Sequence, residues 1–549
     1  MNNDFDFVLD SDISQDDFPA WLSELVFDME NRLFPGYILY GNIEDLFELK
    51  GELVDIETYL RRIFHSKRCV FLDPALGVVS NGGIISDNSK GPFDALFNFL
   101  VSANIGREEG IVVIRGGEMW LKEEVAWAVK RIAEQGVVKE GCQIVILSET
   151  PTLLPEVLAQ STFFKRIEIP FPSINTIKQT LVKYKSLSPR LFEDVDLDVG
   201  SEKLSGTKLF PLVNLLKSKV SLGESISLSS LEAVKRKLVE ETCEGLLEFV
   251  VPNLNLDDLY GMNKLKLVIR RDLEMWTAGE KSLIPKGYLL IGPVGTGKTY
   301  FVEALAGEAG VPVIKFNNFR SAVPGQTERN LEKIFRMLRS LSRCFVFIDE
   351  ADQAMGSRTS GADGVAGRVY SLFAQEMASE KNRGKIIWIM ATSQPHKLEP
   401  DLKRPGRMDL KIPLLPCENA PAAFQLLIHL GEKKGLKFAT PEVEAAKFQE
   451  RDRIMSEDNY ILAAVPDYIT PASATVIVDS VARKKKTLSG KVPSDRELLR
   501  IALRDHQPAI AKLVMQEQCR LAVREATDID FVPHEYQYLQ TLEKPFTIL

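Results

Sequence analysis

The residues with the most specific chemistry are Gly292-Pro293-Val294-Gly295-Thr296-Gly297-Lys298-Thr299, a G-x4-G-K-T match. Three glycines let the backbone wrap closely with its N–H groups turned inward, the geometry of an anion cradle. In such a loop the lysine, Lys298, reaches the β- and γ-phosphates of a nucleotide, and the hydroxyl of Thr299 holds Mg²⁺. Average residue usage produces this pattern by chance roughly 0.02 times in a chain this long. Downstream, Phe345-Val346-Phe347-Ile348-Asp349-Glu350 is an apolar run ending in two carboxylates. At the tip of a strand beside a phosphate loop, Asp349 suits the metal and Glu350 suits an attacking water. A third stretch, Asp401-Leu402-Lys403-Arg404-Pro405-Gly406-Arg407-Met408-Asp409, presents two arginines on a rigid Pro-Gly turn. It reads either as a solvated charged loop or as a pair of arginine fingers offered to the γ-phosphate of a neighbouring subunit.

Such groups need a sheet edge and a helix terminus to position them. Tyr288-Leu289-Leu290-Ile291 precedes the loop as a strand, and Tyr300-Phe301-Val302-Glu303-Ala304-Leu305-Ala306 continues it as a helix whose N-terminal dipole faces the anion. Five short apolar runs alternate with helical stretches here: 288–292, 311–316, 344–350, 386–393 and 410–416. The first half of the chain has the same scheme at 37–41, 69–73, 111–116, 143–149 and 167–172, where YILYG answers YLLIG and IEIPFP answers KIPLLP. Runs of this kind predict parallel sheets covered on both faces. The fold class expected is α/β, two parallel-sheet cores in tandem, read as an internal duplication. Its divisions are an acidic tail (1–17), a first core (18–172) and a helical segment (173–250). Then come a second core (251–417), a second helical segment (418–525) and a tail without clear period (526–549). Residues 246–262 read as a loop between the copies. The first copy has no Gly-Lys-Thr after Gly41, and its third run ends Arg115-Gly116-Gly117-Glu118 rather than in a carboxylate pair, so no catalysis is expected there.

The 549 residues bound roughly three or four domains. Charge is −8, with 45% hydrophobic and 26% charged residues, a globular composition that argues against a nucleic-acid partner. The basic run Arg483-Lys484-Lys485-Lys486 reads as a solvated helix end. Six scattered cysteines form no C-x-x-C pair and fit reduced thiols of a cytoplasmic compartment. The acidic N-terminus does not resemble a signal or transit peptide, and no apolar run approaches the ~18 residues of a membrane span.

GPVGTGKT, FIDEAD, ATSQP, LKRPGRMD and the preceding DDLYGM together resemble the AAA family of ATPases over about 255–485. The resemblance implies ATP and Mg²⁺ as cofactors, a helical lid after each core, and a homo-oligomeric, usually hexameric ring with sites between subunits. It assigns Gly292 to Thr299 with Tyr300, Asp258 and Gly261 to the nucleotide, Thr299 and Asp349 to the metal, and Glu350, Ser393, Arg404 and Arg407 to catalysis. A degenerate copy ahead of an active one, with IPFP and Gly245-Leu246-Leu247-Glu248 between them, is also similar to tandem ATPases encoded in plastid genomes and cyanobacteria. A plastid-stroma-like compartment would then replace the cytoplasm if the chain is organelle-encoded. Three positions depart from the family pattern. Ser393 stands for the sensor Asn, and a shorter side chain implies slower hydrolysis. Val323-Pro324-Gly325 replaces the aromatic pore loop. Tyr260 replaces the first glycine of the segment along the adenine. The expected function is Mg-dependent ATP hydrolysis coupled to remodelling of a protein partner. The alternative is a nucleotide-gated scaffold with slow turnover.

Overall fold

The computed structural model describes residues 18–64, 68–73, 77–80, 83–86, 110–117, 121–134, 142–193, 195–250, 253–321, 326–355, 365–417, 419–438, 464–487 and 493–542. The acidic tail, Glu118, Val323-Pro324-Gly325 and part of the second helical segment lie outside them. The described chain forms two units. One comprises residues 1–245 with 321–342, the other residues 246–320 with 343–549.

In the first unit the sheet runs β6-β5-β4-β7-β8-β1-β9. Its strands are β1 (Gly36–Gly41), β4 (Arg68–Asp73), β5 (Gly77–Ser80), β6 (Gly83–Ser86), β7 (Gly110–Ile114), β8 (Cys142–Ser148) and β9 (Phe164–Ile169). β4, β7, β8, β1 and β9 are mutually parallel, and β5 and β6 add an antiparallel edge. The apolar runs are continuous because both faces are covered. Tyr37 and Leu39 pack with Leu25 of α1 (Ala20–Glu30) and Leu60 of α2 (Ile56–Ile63). Ile38 faces the other way, toward Val129 of α3 (Glu123–Ile132). A hairpin of β2 (Phe47–Leu49) and β3 (Glu52–Val54) intervenes between β1 and α2. Its turn residues Lys50 and Gly51 both have positive φ, as a tight right-twisting hairpin requires. Helices α4 (Ile174–Leu187), α5 (Leu197–Lys203), α6 (Leu209–Leu222) and α7 (Leu228–Thr242) close over a separate core containing Leu181, Phe192, Leu212 and Leu231.

The second sheet runs β10-β12-β13-β14-β11-β15. The strands are β10 (Leu247–Val250), β11 (Gly287–Ile291), β12 (Val313–Phe316), β13 (Cys344–Ile348), β14 (Ile386–Thr392) and β15 (Leu410–Pro413). All five expected runs are strands in each half. In both sheets the parallel strands take the same order, second-third-fourth-first-fifth in chain sequence. The loop expected at 246–262 is partly strand: β10 pairs antiparallel with β12, because Leu247 and Phe249 alternate into the core while Glu248 faces out. The helices here are α8 (Asn263–Ala278), α9 (Lys298–Ala309), α10 (Gln326–Ser340), α11 (Ala351–Met355) and α12 (Val365–Ala378). Of these, α10 groups with the first unit although it lies between β12 and β13 in sequence.

After the sheet, α13 (Ala420–Lys433), α14 (Pro471–Thr487) and α15 (Asp495–Asp505) share one core around Phe424, Leu427, Ile477 and Leu499. The expected helical segment extended to 525, but α16 (Lys512–Glu525) is not part of that core. Its Met515, Cys519 and Val523 pack instead with Val532, Tyr536 and Leu539. The stretch behind α16 is pinned beside the edge strand β15, where Thr527 N–H donates to Lys411 O (3.1 Å) and Lys411 N–H to Thr527 Oγ1 (2.8 Å). The supposed tail is thus, up to residue 542, an ordered part of the second unit. Cys69, Cys243, Cys344 and Cys519 are buried and form no disulfide among the described residues.

Candidate active site

A glycine stands at the end of β1 and directly after β11 for one geometric reason. A Cβ on Gly292 would lie 1.9 Å from Leu414 O, and one on Gly41 would lie 2.5 Å from Ile169 O. The chain therefore passes close to the fifth strand at both places. The two turns beyond these glycines differ. After β11 the loop 292–297 turns with Gly295 and Gly297 at φ of +85° and +86°, and α9 begins directly at Lys298. Thr296 is buried and its Oγ1 donates to Pro293 O at 2.9 Å, closing the loop on itself. Lys298 Nζ donates to Gly292 O (2.8 Å) and Pro293 O (2.9 Å), so its ammonium is held inside the cradle. Burial pushes its pKa down, while the carboxylates of Asp349, Asp352 and Glu350 pull it back up. Val294 and Tyr300 are exposed beside the loop.

The strand β13 delivers the carboxylates. Thr299 Oγ1 lies 3.4 Å from Asp349 Oδ2, so the hydroxyl and the half-buried carboxylate face one point. Among the described residues no cluster of three or more His, Cys, Asp or Glu side chains could cage a metal. A single carboxylate with a hydroxyl fits Mg²⁺, which keeps waters and is completed by substrate phosphates. Glu350 is exposed and has φ of +45°, a conformation uncommon outside glycine; its N–H donates to Asp349 Oδ1 at 3.0 Å. Backbone in this region is costly and persists where surroundings impose it, often at functional sites. Close by in the chain, the buried Asp352 accepts from Thr392 Oγ1 (2.6 Å) at the end of β14; nothing in the sequence pattern marks this acid for that bond. Ser393, the residue after Thr392, is half-buried and its hydroxyl has no hydrogen-bond partner among the described residues.

The helical segment closes on the loop. Ala472 N–H at the start of α14 donates to Gly295 O (3.1 Å), and Thr470 lies against the same glycine. Tyr260 stacks on His429 of α13 with ring centroids 5.3 Å apart and reaches Gln425. Gly261 takes φ of +70°, and Asp258 receives the N–H of Asn255 at 2.9 Å, stabilising the turn before them. The segment expected along the base therefore also touches α13.

The two arginines are placed differently. Arg404 is 60% exposed, with Asp401 Oδ1 at 3.0 Å. Arg407 is 9% exposed and donates to both the carboxylate and the carbonyl oxygen of Asp401, the latter at 2.8 Å. Tyr370 Oη adds a third bond to Asp401 at 2.8 Å. Arg407 is thus an internal brace of the turn, and Arg404 is the arginine that projects. Lys403, beside it, bonds to Pro395 O (3.0 Å) and to Glu525 of α16, which also holds Lys411 at 3.1 Å.

Among its described residues the first unit carries none of this machinery. After Gly41 the chain turns so that Asp45, buried, accepts the N–H groups of Leu209 (2.9 Å) and Phe210 (2.8 Å) at the start of α6. Past β7, where the second copy has its acids, stands Arg115, ion-paired with Glu57 at 2.7 Å. A cation there opposes a metal site.

No helix among the described residues is long and apolar enough to cross a membrane. Residues 288–415, from β11 to just beyond β15, match the model of the ATPase family associated with various cellular activities (AAA). The chain is 26% identical over 394 residues to the "Uncharacterized AAA domain-containing protein ycf46" of Gracilaria tenuistipitata var. liui, covering 65% of this chain and 77% of that one. It is 28% identical over 253 residues to the Guillardia theta protein of the same name, covering 44% of this chain and about half (49%) of that one. It is also 35% identical over 174 residues to "Peroxisomal ATPase pex6" of Schizosaccharomyces pombe, covering 29% and 18%. The phosphate cradle, the acids behind it and the strands β11 to β15 thus lie in the stretch that matches the AAA family model, in a chain similar to the ycf46-type AAA proteins.

Proposed function

We propose that the second unit hydrolyses ATP with Mg²⁺ and couples the reaction to remodelling of a protein partner within a homo-oligomeric, hexameric ring. The observation that carries the reading is the convergence of Lys298, Thr299, Asp349 and Glu350 at the carboxyl ends of β11 and β13, with Thr299 and Asp349 3.4 Å apart. Lys298 and the loop N–H groups bind the β- and γ-phosphates. Thr299 and Asp349 hold the metal, which supplies charge neutralisation at the phosphates. Glu350 orients the attacking water, with Ser393 within the same strand-end cluster. The lid contact through Gly295 and Ala472 gives the phosphate loop a direct path to α14, so that loading and release move the lid. Arg404 completes the site of a neighbouring subunit.

The test is subunit mixing. Glu350→Gln protein and Arg404→Ala protein are each expected to be inactive, and mixing them should restore turnover at interfaces that pair an intact Glu350 with an intact Arg404. A finger acting fully is worth about 10³–10⁵ in rate. Absence of any recovery, with turnover independent of protein concentration, would mean a site complete within one chain. The scaffold reading is favoured by one specific residue, Ser393, which is shorter than the family's Asn. Turnover unresponsive to any captured partner would favour it.

A further inference from the structure

The first unit contains a cavity of about 430 Å³ beside the carboxyl ends of β1, β8 and β9, where Asn42, Thr150 and Phe171 line it. Open parallel sheets hold ligands in this position. The facing wall is α10, which contributes Arg329, Lys333 and Arg336 from successive turns of one helix face. Lys208, just ahead of α6, supplies a further cation.

The charges are sorted by depth. The lining acids Glu44, Glu149, Glu241 and Glu244 are exposed, whereas Lys208, Arg329, Lys333 and Arg336 are half-buried. Lys333 is matched by Glu244 at 2.7 Å. Arg336 has Glu168 Oε1 at 3.9 Å, and burial holds the guanidinium below its ordinary pKa against the opposing pull of Glu168 and Glu332. Arg329 and Lys208 have no ion pair among the described residues. Two polar atoms are also left over. Among the described residues Arg329 Nε is buried without an acceptor, and Asn42 Oδ1 has no donor although Asn42 is only 3% exposed. Buried polar groups are nearly always satisfied, by protein, water or ligand.

We propose that this cavity binds a phosphate-bearing small molecule. Its anion is held by Lys208, Arg329 and Arg336, and a hydroxyl or amine of the same molecule donates to Asn42 Oδ1. Three half-buried cations, two of them forked guanidiniums, match the several acceptor oxygens of a phosphate better than they match a single carboxylate. The site is not catalytic, since Arg115 stands where the second copy has its acids. It is a site of different construction from the Gly-Lys-Thr loop, because one wall comes from residues 326–337, far along the sequence. It does not depend on ATP hydrolysis in the second unit.

The experiment uses the full chain carrying Lys298→Ala, titrated with inorganic pyrophosphate in a calorimeter. Saturable binding at millimolar concentration or below is expected. Lys208→Gln with Arg329→Gln should weaken it by about tenfold or more, the effect of removing charge-assisted hydrogen bonds. Lys208→Gln alone should weaken it less, and because Lys208 has no ion pair among the described residues this variant keeps the test valid if the double variant unfolds. No saturation at millimolar pyrophosphate, or equal affinity with Lys208 and Arg329 replaced, overturns the proposal. Saturation indifferent to Lys208 and Arg329 would place the binding at the Gly292–Thr299 loop and overturn it equally.

Discussion

Replacing Arg407 by Ala removes the bonds that its buried guanidinium gives to the carboxylate and carbonyl oxygen of Asp401. Asp401 is partly exposed, so water relieves some of the loss, and a cost of about 1–3 kcal/mol is expected. The melting temperature should fall by roughly 2–4 °C per kcal/mol. Arg404→Ala, 60% exposed, should leave the melting temperature unchanged and abolish turnover. Similar melting curves for the two variants would contradict this division of labour. Lys298→Ala removes the only side-chain cation in the phosphate loop, and ATP affinity by calorimetry should fall about tenfold or more. Ser393→Asn should raise turnover at saturating ATP, since the serine hydroxyl has no partner among the described residues and the longer amide reaches farther. A fall would mean that the pocket is built around the serine. Lys298, Thr299, Asp349 and Glu350 are legible in the sequence because spacing alone defines them. The different placements of Arg404 and Arg407 are not, because burial of one depends on Asp401 and Tyr370, which no motif marks.

At the scale of elements, α16 acts as a clamp on the arginine turn. Burial raises the pKa of Glu525, but hydrogen bonds from Lys403 and Lys411 outweigh it and the net shift is downward. A carboxylate whose folded pKa is lowered adds stability above the ordinary Glu range and loses it as pH falls through the folded value. The bond from Arg407, with that from Tyr370, holds Asp401 low in the same direction. The wild-type melting temperature should therefore drop as pH falls below the ordinary carboxylate range, and Glu525→Gln should flatten that dependence. A pH profile identical to wild type would show that the clamp carries no stability. Apolar strands such as CFVFI and IIWIM announce themselves because both faces of each sheet are covered. The hairpin β2–β3 and the edge strand β10 do not, since three or four residues are too few to display a period. Arg329, Lys333 and Arg336 of helix α10 line a cavity, and no motif in the sequence marks them for it.

At the scale of the molecule, the first unit is discontinuous in sequence, since residues 321–342 belong to it. They are held there by Thr150 Oγ1 donating to Glu332 (2.5 Å), by Lys333 against Glu244 (2.7 Å) and by Ser342 N–H donating to Ser205 Oγ (3.1 Å). Leu341 packs against Gly206, where a Cβ would approach within 2.7 Å. A protease site engineered at Gly245–Leu246 should therefore yield two pieces that migrate together in size-exclusion chromatography. Separation at low salt would show that these contacts do not hold the inserted helix.

The same discontinuity bears on how the chain is made. A nascent chain that has reached Gly245 still lacks α10, and it must wait for the ribosome to deliver residue 342. At ordinary elongation rates of about 5–20 residues per second, that delay is roughly 5–20 s. During it the surfaces around Thr150, Glu168 and Gly206 stand uncovered. Folding of the first unit is thus tied to synthesis of the second, and a truncated message would leave a first unit without the helix that completes it.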